Sequence, residues 1–179
     1  MTQPTITILN PSEVTPDLRC RMDELDQIAF KEDADDPLLA GIQWASSQEW
    51  FVLGWMDSEL ASELCLLTRE ISVGKEKLRV VGVGGVATHP RWRRQGLASA
   101  LLRATETYMK EKIRVPFGLL VCSNETRPLY EGLGWQHVAD ELYFIQNGEQ
   151  RLLKSFVMIL PLAGRNWPSG KIDLCGLPW

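Results

Sequence analysis

The chain has 179 residues, of which 45% are hydrophobic and 23% are charged, so we expect one folded soluble domain spanning residues 1–179. The formal net charge of −4 argues against nucleic acid as a partner, because nucleic-acid binding needs a basic face. No apolar run is long enough to cross a bilayer, and the segment Met1–Pro11 lacks the pattern of a secretion signal, so we expect a cytoplasmic protein without a membrane partner.

Metal chemistry is not expected from this sequence. The four cysteines are widely separated, no Cys-x-x-Cys pair occurs, and only two histidines are present. A zinc site needs several such ligands at short spacings. We therefore expect no metal and four reduced thiols.

The N-terminal part of the chain predicts one short strand and two helices. The strand is Thr5–Leu9. Thr15 as N-cap and Pro16 at the first helical position start a helix, whose apolar spacing continues to about Phe30. After an acidic loop, a second short helix is predicted over Pro37–Trp44.

The next segment predicts three consecutive strands. They are Trp50–Met56, Leu60–Ile71 and Leu78–Thr88, separated by an Asp57-Ser58 turn and a polar loop over residues 72–77. Connections this short favour antiparallel neighbours.

The remaining chain predicts two helices and a hairpin. Leu97–Glu111 has the clearest amphipathic pattern, the apolar run Phe117–Cys122 suits a strand buried on both faces, and Thr126–Leu133 predicts a short helix stopped by Gly134. The hairpin strands and a small final strand are predicted at Glu141–Gln146, Glu149–Leu160 and Ile172–Leu174, with a tight Asn147-Gly148 turn. This order predicts a mixed α/β domain in which an antiparallel meander leads into one βαβ crossover.

The glycine-rich end of the third meander strand first suggests a dinucleotide site. Gly82, Gly84 and Ala87 match a G-x-G-x-x-A pattern. That motif must lie on a turn that opens a helix, whereas Thr88-His89-Pro90 follows here and the helix starts later. We reject this interpretation.

A phosphate-binding turn is the better interpretation, and it lies a few residues further on. Gly96 leaves room for a ligand to approach the backbone, and the unpaired amides of the next helical turn, with the helix dipole, suit a pyrophosphate. Arginines Arg91, Arg93 and Arg94 add positive charge beside the turn.

These residues resemble the GNAT superfamily of N-acetyltransferases, whose signature is R/Q-x-x-G-x-G/A between a strand and a long helix. Arg93, Gly96 and Ala98 fill the signature positions, and Asn124–Trp135 resembles the second cofactor motif of the family. The resemblance implies a GNAT fold, a mixed, mostly antiparallel sheet with helices on both faces. It also implies acetyl-CoA as cofactor, an amine acceptor, a direct attack through a tetrahedral intermediate, and, by family analogy alone, a homodimer.

The resemblance also implies individual roles. The backbone amides of Val86 and Thr88 are expected to polarise the thioester carbonyl. Tyr130 lies where many members place the acid that protonates the leaving thiolate, although a buried structural tyrosine fits equally well. Cys122 is expected to be structural. The implied cofactor-binding residues are Val86, Ala87, Thr88, Arg93, Arg94, Gln95, Gly96, Leu97, Ala98, Ser99 and Asn124.

The C-terminal tail resembles that of the aminoglycoside 2′-N-acetyltransferases, which also end in an Asp-containing stretch and a tryptophan. The resemblance implies that the α-carboxylate of Trp179 and the side chain of Asp173 face a cationic acceptor. The implied acceptor-binding residues are Asp33, Asp36, Gly84, Gly85, Asp173 and Trp179, and Trp179 joins Tyr130 as a catalytic candidate.

One position departs from that group. An acidic residue is expected before the glycine of the core strand, where this chain has Gly84, and we find no replacement on a nearby strand. The general base is therefore not identified. The acceptor stays open between an aminoglycoside, another small amine and a protein amino group, and a non-catalytic acyl-CoA-binding module is an alternative.

Overall fold

Residues 4–31, 39–45 and 47–179 are described by a computed structural model of the chain. Within them, the α-helices are α1 (Pro16–Ala29), α2 (Leu97–Tyr108) and α3 (Arg127–Glu131). The β-strands are β1 (Thr5–Leu9), β2 (Trp50–Met56), β3 (Glu59–Val73), β4 (Glu76–Thr88), β5 (Phe117–Cys122), β6 (Gln136–Val138), β7 (Leu142–Gln146), β8 (Glu149–Leu153), β9 (Phe156–Pro161) and β10 (Ile172–Asp173). No helix among the described residues is long and apolar enough to cross a membrane.

Local sequence signals set the boundaries of several elements. Thr15 Oγ1 accepts a hydrogen bond of 3.2 Å from the Leu18 amide, and Pro16 occupies the first turn, so α1 begins where the sequence predicts. In the β7–β8 hairpin, Asn147 and Gly148 both have positive φ values of 53° and 81°, as a two-residue primed turn requires.

One mixed sheet contains all ten described strands. Its main path runs β6-β9-β5-β4-β3-β10-β7-β8, and β2 joins β1 to β3. Strands β2, β3 and β4 form the predicted antiparallel meander, and β4 and β5 are parallel, so α2 makes the predicted βαβ crossover.

The crossover strands stay together for only a short distance. β5 pairs with β4 at Val80–Gly82 and then continues beside β9 alone as far as Cys122. The second half of β4, Val83–Thr88, therefore keeps β3 as its only ladder partner among the described strands. A gap lined by backbone groups opens between β4 and β5.

A β-bulge interrupts β4 at the start of this gap. Cys65 of β3 pairs with Gly84, whereas Glu63, two residues away, pairs with Ala87. The extra residue lies on β4, and Gly85 takes a left-handed φ of +58° that glycine adopts without strain. The bulge bends β4 at the start of the gap.

The helices cover both faces of the sheet, as predicted. α2 and α3 pack on one face, around Val83, Leu101 and Tyr130. On the other face, Met22 of α1 packs on Phe51 and Leu53. A second cluster on that face joins β3 and β4 to the C-terminal hairpin and tail, with Phe117, Phe144, Ile172 and Trp179 among its members.

Three predictions of secondary structure are wrong. In the described part of the predicted helix Pro37–Trp44, residues 39–44 form turns and irregular backbone. The predicted strand Glu149–Leu160 is two strands, β8 and β9, and β9 leaves the hairpin to pair with β5 and β6. The α-helix predicted to Glu111 ends at Tyr108 and continues as a π-helical turn, Met109–Ile113.

Candidate functional site

The turn before α2 has the geometry of an anion site. Gly96 is the N-cap with φ +81° and offers no side-chain cap, and the first helical hydrogen bond runs from the Ala100 amide to the Gly96 carbonyl. The amides of Leu97, Ala98 and Ser99 therefore have no helical acceptor. A Cβ on Gly96 would meet no atom within 4 Å, so space is open beside these amides.

The arginines of the turn have different surroundings. Arg93 donates from Nε to the Thr88 carbonyl at 3.1 Å and from Nη2 to the Ala29 carbonyl at 3.2 Å, which ties the turn to β4 and to the end of α1. Arg91 pairs with Glu59 at 3.2 Å. Arg94 is exposed and makes no side-chain hydrogen bond or ion pair with the described residues. Its guanidinium is therefore available for an anion.

Two further predicted cofactor residues lie in different turns. Gln95 donates from its side-chain amide to the Arg91 carbonyl at 3.2 Å, which closes the turn on itself. Asn124 is exposed in the turn that follows β5.

The end of β4 is held rigidly beside the turn. Ser62 Oγ donates to the Ala87 carbonyl at 2.6 Å and lies 2.8 Å from Thr88 Oγ1. Val86 is half-buried between the bulge and this anchor. The predicted residues Val86, Ala87 and Thr88 thus form one fixed segment between the bulge and the phosphate turn.

Tyr130 of α3 is buried, with only 6% of its surface exposed, and its ring packs edge-on against Trp135. Burial raises the pKa of its hydroxyl, so the group keeps its proton at any working pH. Burial also raises the pKa of the nearby Cys122 thiol. A neutral thiol is a poor nucleophile, which agrees with a structural Cys122.

The tail brings Trp179 onto the glycines of β4. The indole covers Gly82 and donates from Nε1 to the Leu119 carbonyl of β5 at 3.4 Å, and the Trp179 main chain lies over Gly84. The Arg69 guanidinium stacks over the indole at 5.1 Å and also bonds the Leu177 carbonyl. The structure thus brings Gly84 and Trp179 together, whereas a Cβ on Gly85 would face Cys65 Sγ at 3.7 Å.

The predicted acidic residues of the acceptor site are not found in one place. Asp173 pairs with Ser72, seven residues along β3 from the Cys65 partner of Gly84, a separation of roughly 23 Å at the usual rise of a strand. Its carboxylate accepts from Gln150 at 2.6 Å and from the Cys175 amide at 2.8 Å. Asp33 and Asp36 lie outside the described residues.

An acidic cleft beside the bulge was missed by the sequence analysis. Its volume is about 80 Å3, and its lining residues are Arg19, Met22, Asp23, Asp26, Gln48, Phe51, Glu63, Leu64, Cys65 and Gly85. The expectation that no neighbouring strand supplies a carboxylate near Gly84 is wrong, because Glu63 of β3 does so. The available signal was an acid within the apolar run Leu60–Leu67, where both faces of the strand are buried.

Comparison with known proteins agrees with this geometry. The family model described as Acetyltransferase (GNAT) domain matches residues 16–138 of the chain. No curated protein matches the sequence.

Solved structures show the same fold at low sequence identity. The GNAT family N-acetyltransferase YhbS from Escherichia coli, in complex with CoA, is 19% identical with a TM-score of 0.67, covering 99% of this chain and 96% of that one. A GNAT family acetyltransferase from Brucella melitensis, in complex with acetyl-CoA, is 13% identical with a TM-score of 0.62, covering 94% of each chain. Escherichia coli ElaA is 17% identical with a TM-score of 0.61, covering 88% of this chain and 99% of that one. The family match spans more than half of the sequence, so the chain belongs to the GNAT acetyltransferase domain family.

Proposed function

We propose that the chain is an N-acetyltransferase that moves the acetyl group of acetyl-CoA to a primary amine of a small cationic molecule. The observation that carries the proposal is the continuity of three features along one segment: the bulge at Gly85, the gap beside β4 and the uncapped start of α2. Together they offer a rigid polar corner, a strand edge and an anion site in sequence. An acyl-CoA has a thioester, a pantetheine arm and a pyrophosphate in the matching order.

The residues present fit such a cofactor. The amides of Leu97, Ala98 and Ser99 would hold the pyrophosphate, with Gly96 leaving room for it and Arg94 supplying charge. The backbone of Val83–Thr88 would lie beside the pantetheine arm, because its edge toward β5 has no strand partner among the described residues. Asn124 lies in the turn after β5, on the opposite side of the gap.

Acetyl-CoA, when bound, supplies a thioester whose carbonyl carbon accepts the nitrogen of the amine. The chain's own task is to fix that carbonyl and to move protons. We assign the backbone amides of Val86 and Thr88 to the carbonyl oxygen, since the anchor through Ser62 keeps this segment rigid. Donors that need no rearrangement stabilise developing negative charge most effectively.

Tyr130 is the proposed acid. Its hydroxyl stays protonated because burial raises its pKa, and α3 follows directly after β5 at the far wall of the gap. A proton held there can be given to a thiolate as it leaves. The other catalytic proposal, the Trp179 α-carboxylate, draws support from the position of the Trp179 main chain over Gly84.

The acceptor is proposed to be cationic because the cleft beside the bulge has three carboxyl groups and one guanidinium among its described side chains. Aminoglycosides fall within this class as polycations. The direct test is release of coenzyme A thiol from acetyl-CoA with n-butylamine, spermidine, kanamycin and a lysine-containing peptide. Turnover of any small amine supports the proposal. Turnover of the peptide alone would favour a protein acceptor, and tight acetyl-CoA binding without turnover would favour a non-catalytic module.

A further inference from the structure

Glu63 is a buried carboxylic acid that no basic or amide group holds. Only 4% of the residue is exposed, and no N–H or hydroxyl donor among the described residues bonds either carboxyl oxygen. Asp26 is close enough to share a proton with Glu63, but it is itself an acid. Buried carboxyl groups that stabilise a fold are normally paired with a cation or bonded to donors. One that has another acid and a cleft beside it indicates a group kept for a ligand.

The surroundings of Glu63 form a mouth and a floor. Glu63 and Cys65 of β3 lie on the floor, next to Gly85 of the bulge, while Asp26 and Asp23 of α1 stand at the exposed mouth. A cleft of about 80 Å3 has room for several water-sized groups, enough for an ammonium and its first carbons. No three Asp, Glu, His or Cys side chains among the described residues are arranged to hold a metal ion.

The position of this cleft along β4 relates it to the proposed chemistry. Glu63 pairs with Ala87, and Gly85, which lines the cleft, directly precedes Val86. The carboxyl therefore lies across the ladder from the segment assigned to the thioester carbonyl. An amine held by Glu63 would approach that segment from the face covered by α1.

We propose that Glu63 binds the ammonium group of the acceptor and removes its proton, with Asp26 at the mouth as the residue that draws the cation in and positions it. This inference rests on the proposed function and adds the base and the amine-binding group to it. Glu63 is a catalytic residue in this account, and Asp26 acts through it.

The proton balance is complete without another reactant. One N–H bond of R–NH3+ breaks as an O–H bond forms on the Glu63 carboxylate, and the electron pair stays on nitrogen for the attack. As the C–N bond forms and the C–S bond breaks, a second proton of the nitrogen ends on the departing thiolate. The products are the amide, the thiol and a protonated Glu63, which gives up its proton to water when the next ammonium group binds.

The ionisation of Glu63 makes binding of the acceptor amine depend on pH. Burial, followed by the negative charge of Asp26, raises the pKa of the Glu63 carboxyl to about 9. The other ionisable groups that face it are Asp23 and Arg19 of α1 and Cys65 of β3, while the bulge of β4 contributes only Gly85. At neutral pH the empty cleft therefore holds a protonated Glu63. An arriving ammonium stabilises the carboxylate and displaces that proton.

The experiment compares the wild type with Glu63→Gln, Asp26→Asn and a control, Glu70→Gln. Glu70 lies on the same strand but is exposed and pairs with Lys77 at 3.4 Å. Coenzyme A release is measured from pH 6 to 10 with n-butylamine, spermidine and kanamycin. Proton release on binding of the same amines is measured by calorimetry in two buffers of different ionisation enthalpy, with coenzyme A present instead of acetyl-CoA.

The proposal expects Glu63→Gln to lower kcat by about 100-fold or more, the usual range for loss of a general base, and to abolish proton release. Asp26→Asn should raise KM and shift the acidic limb of kcat/KM, which follows the ionisation of Glu63, to lower pH, because it removes a negative charge beside Glu63. Glu70→Gln should match the wild type in every measurement.

Two results would overturn the inference, and they differ from each other. If the wild type acetylates an amine and Glu63→Gln keeps its rate, its KM and its proton release, Glu63 is not the base and the proposed function stands. If the wild type acetylates none of the amines, the proposed function fails and the inference falls with it.

Discussion

The indole of Trp179 occupies the space that a side chain on Gly82 would need: a Cβ there would lie 2.1 Å from Cε2 of the ring. Gly82→Ala should therefore force the C-terminal tail off β4. We expect a loss of about 1–3 kcal/mol in the free energy of unfolding, typical of an overpacked core, measured by urea denaturation.

The matched control for this substitution is the same change in a Trp179→Ala background. With the indole absent, Gly82→Ala should have little effect, so the two substitutions should show a clear coupling energy. An equal loss in both backgrounds would mean that the tail does not lie on Gly82.

Ser99→Asp tests the anion site at the start of α2. A carboxylate in the first helical turn repels a pyrophosphate but interacts well with the helix dipole, by about 0.3–1 kcal/mol. We expect coenzyme A affinity, measured by calorimetry, to fall by about tenfold or more while the melting temperature stays level or rises. The variant Ser99→Asn has the shape of Ser99→Asp without its charge, so it should bind coenzyme A nearly as the wild type does. Equal weakening by both changes would mean that the size of the side chain, and not its charge, disturbs the site.

Tyr130→Phe tests the proposed acid. The ring and its packing on Trp135 are retained, so only the hydroxyl is lost. We expect kcat to fall by about tenfold or more and coenzyme A affinity to stay within about twofold. Tyr108→Phe is the control and should leave kcat unchanged, because Tyr108 lies on α2 in an aromatic contact with Trp50 of β2. A normal rate for Tyr130→Phe would leave Tyr130 as a structural residue.

The raised pKa of Glu63 predicts an unusual dependence of folding stability on pH. Its pKa is about 9 in the folded chain and near 4.5 when the chain unfolds, so between these values the native state binds the extra proton. Stability should therefore fall by a few kcal/mol as the pH rises from 5 to 9. In Glu63→Gln this decline should largely vanish, whereas Glu70→Gln should keep it. Urea denaturation across the pH range measures the slope, and parallel slopes in all three proteins would refute the shifted ionisation.

Local signals explain why much of the fold could be predicted. The Thr15-Pro16 start, the Asn147-Gly148 turn and the apolar run Phe117–Cys122 each specify their structure within a few residues. Strand β9 could not be separated from β8 in this way. The break at Lys154-Ser155 has no strong turn residue, and the partners of β9 lie far away in sequence, on β5 and β6.

The acidic cleft likewise could not be predicted from local sequence signals. The phosphate turn is one continuous segment and could be recognised from its own residues. Glu63 and Asp26 come from β3 and α1, and they meet only because α1 packs beside the bulge at Gly85. The spacing of these residues along the chain therefore does not predict that contact.

The measurement that tests the central claim most directly is release of coenzyme A from acetyl-CoA by the wild-type chain with n-butylamine, spermidine and kanamycin. The account predicts release that depends on the amine, saturates with its concentration, and yields the acetylated amine by mass spectrometry. Binding of acetyl-CoA with no amine-dependent release from any of the three would contradict it.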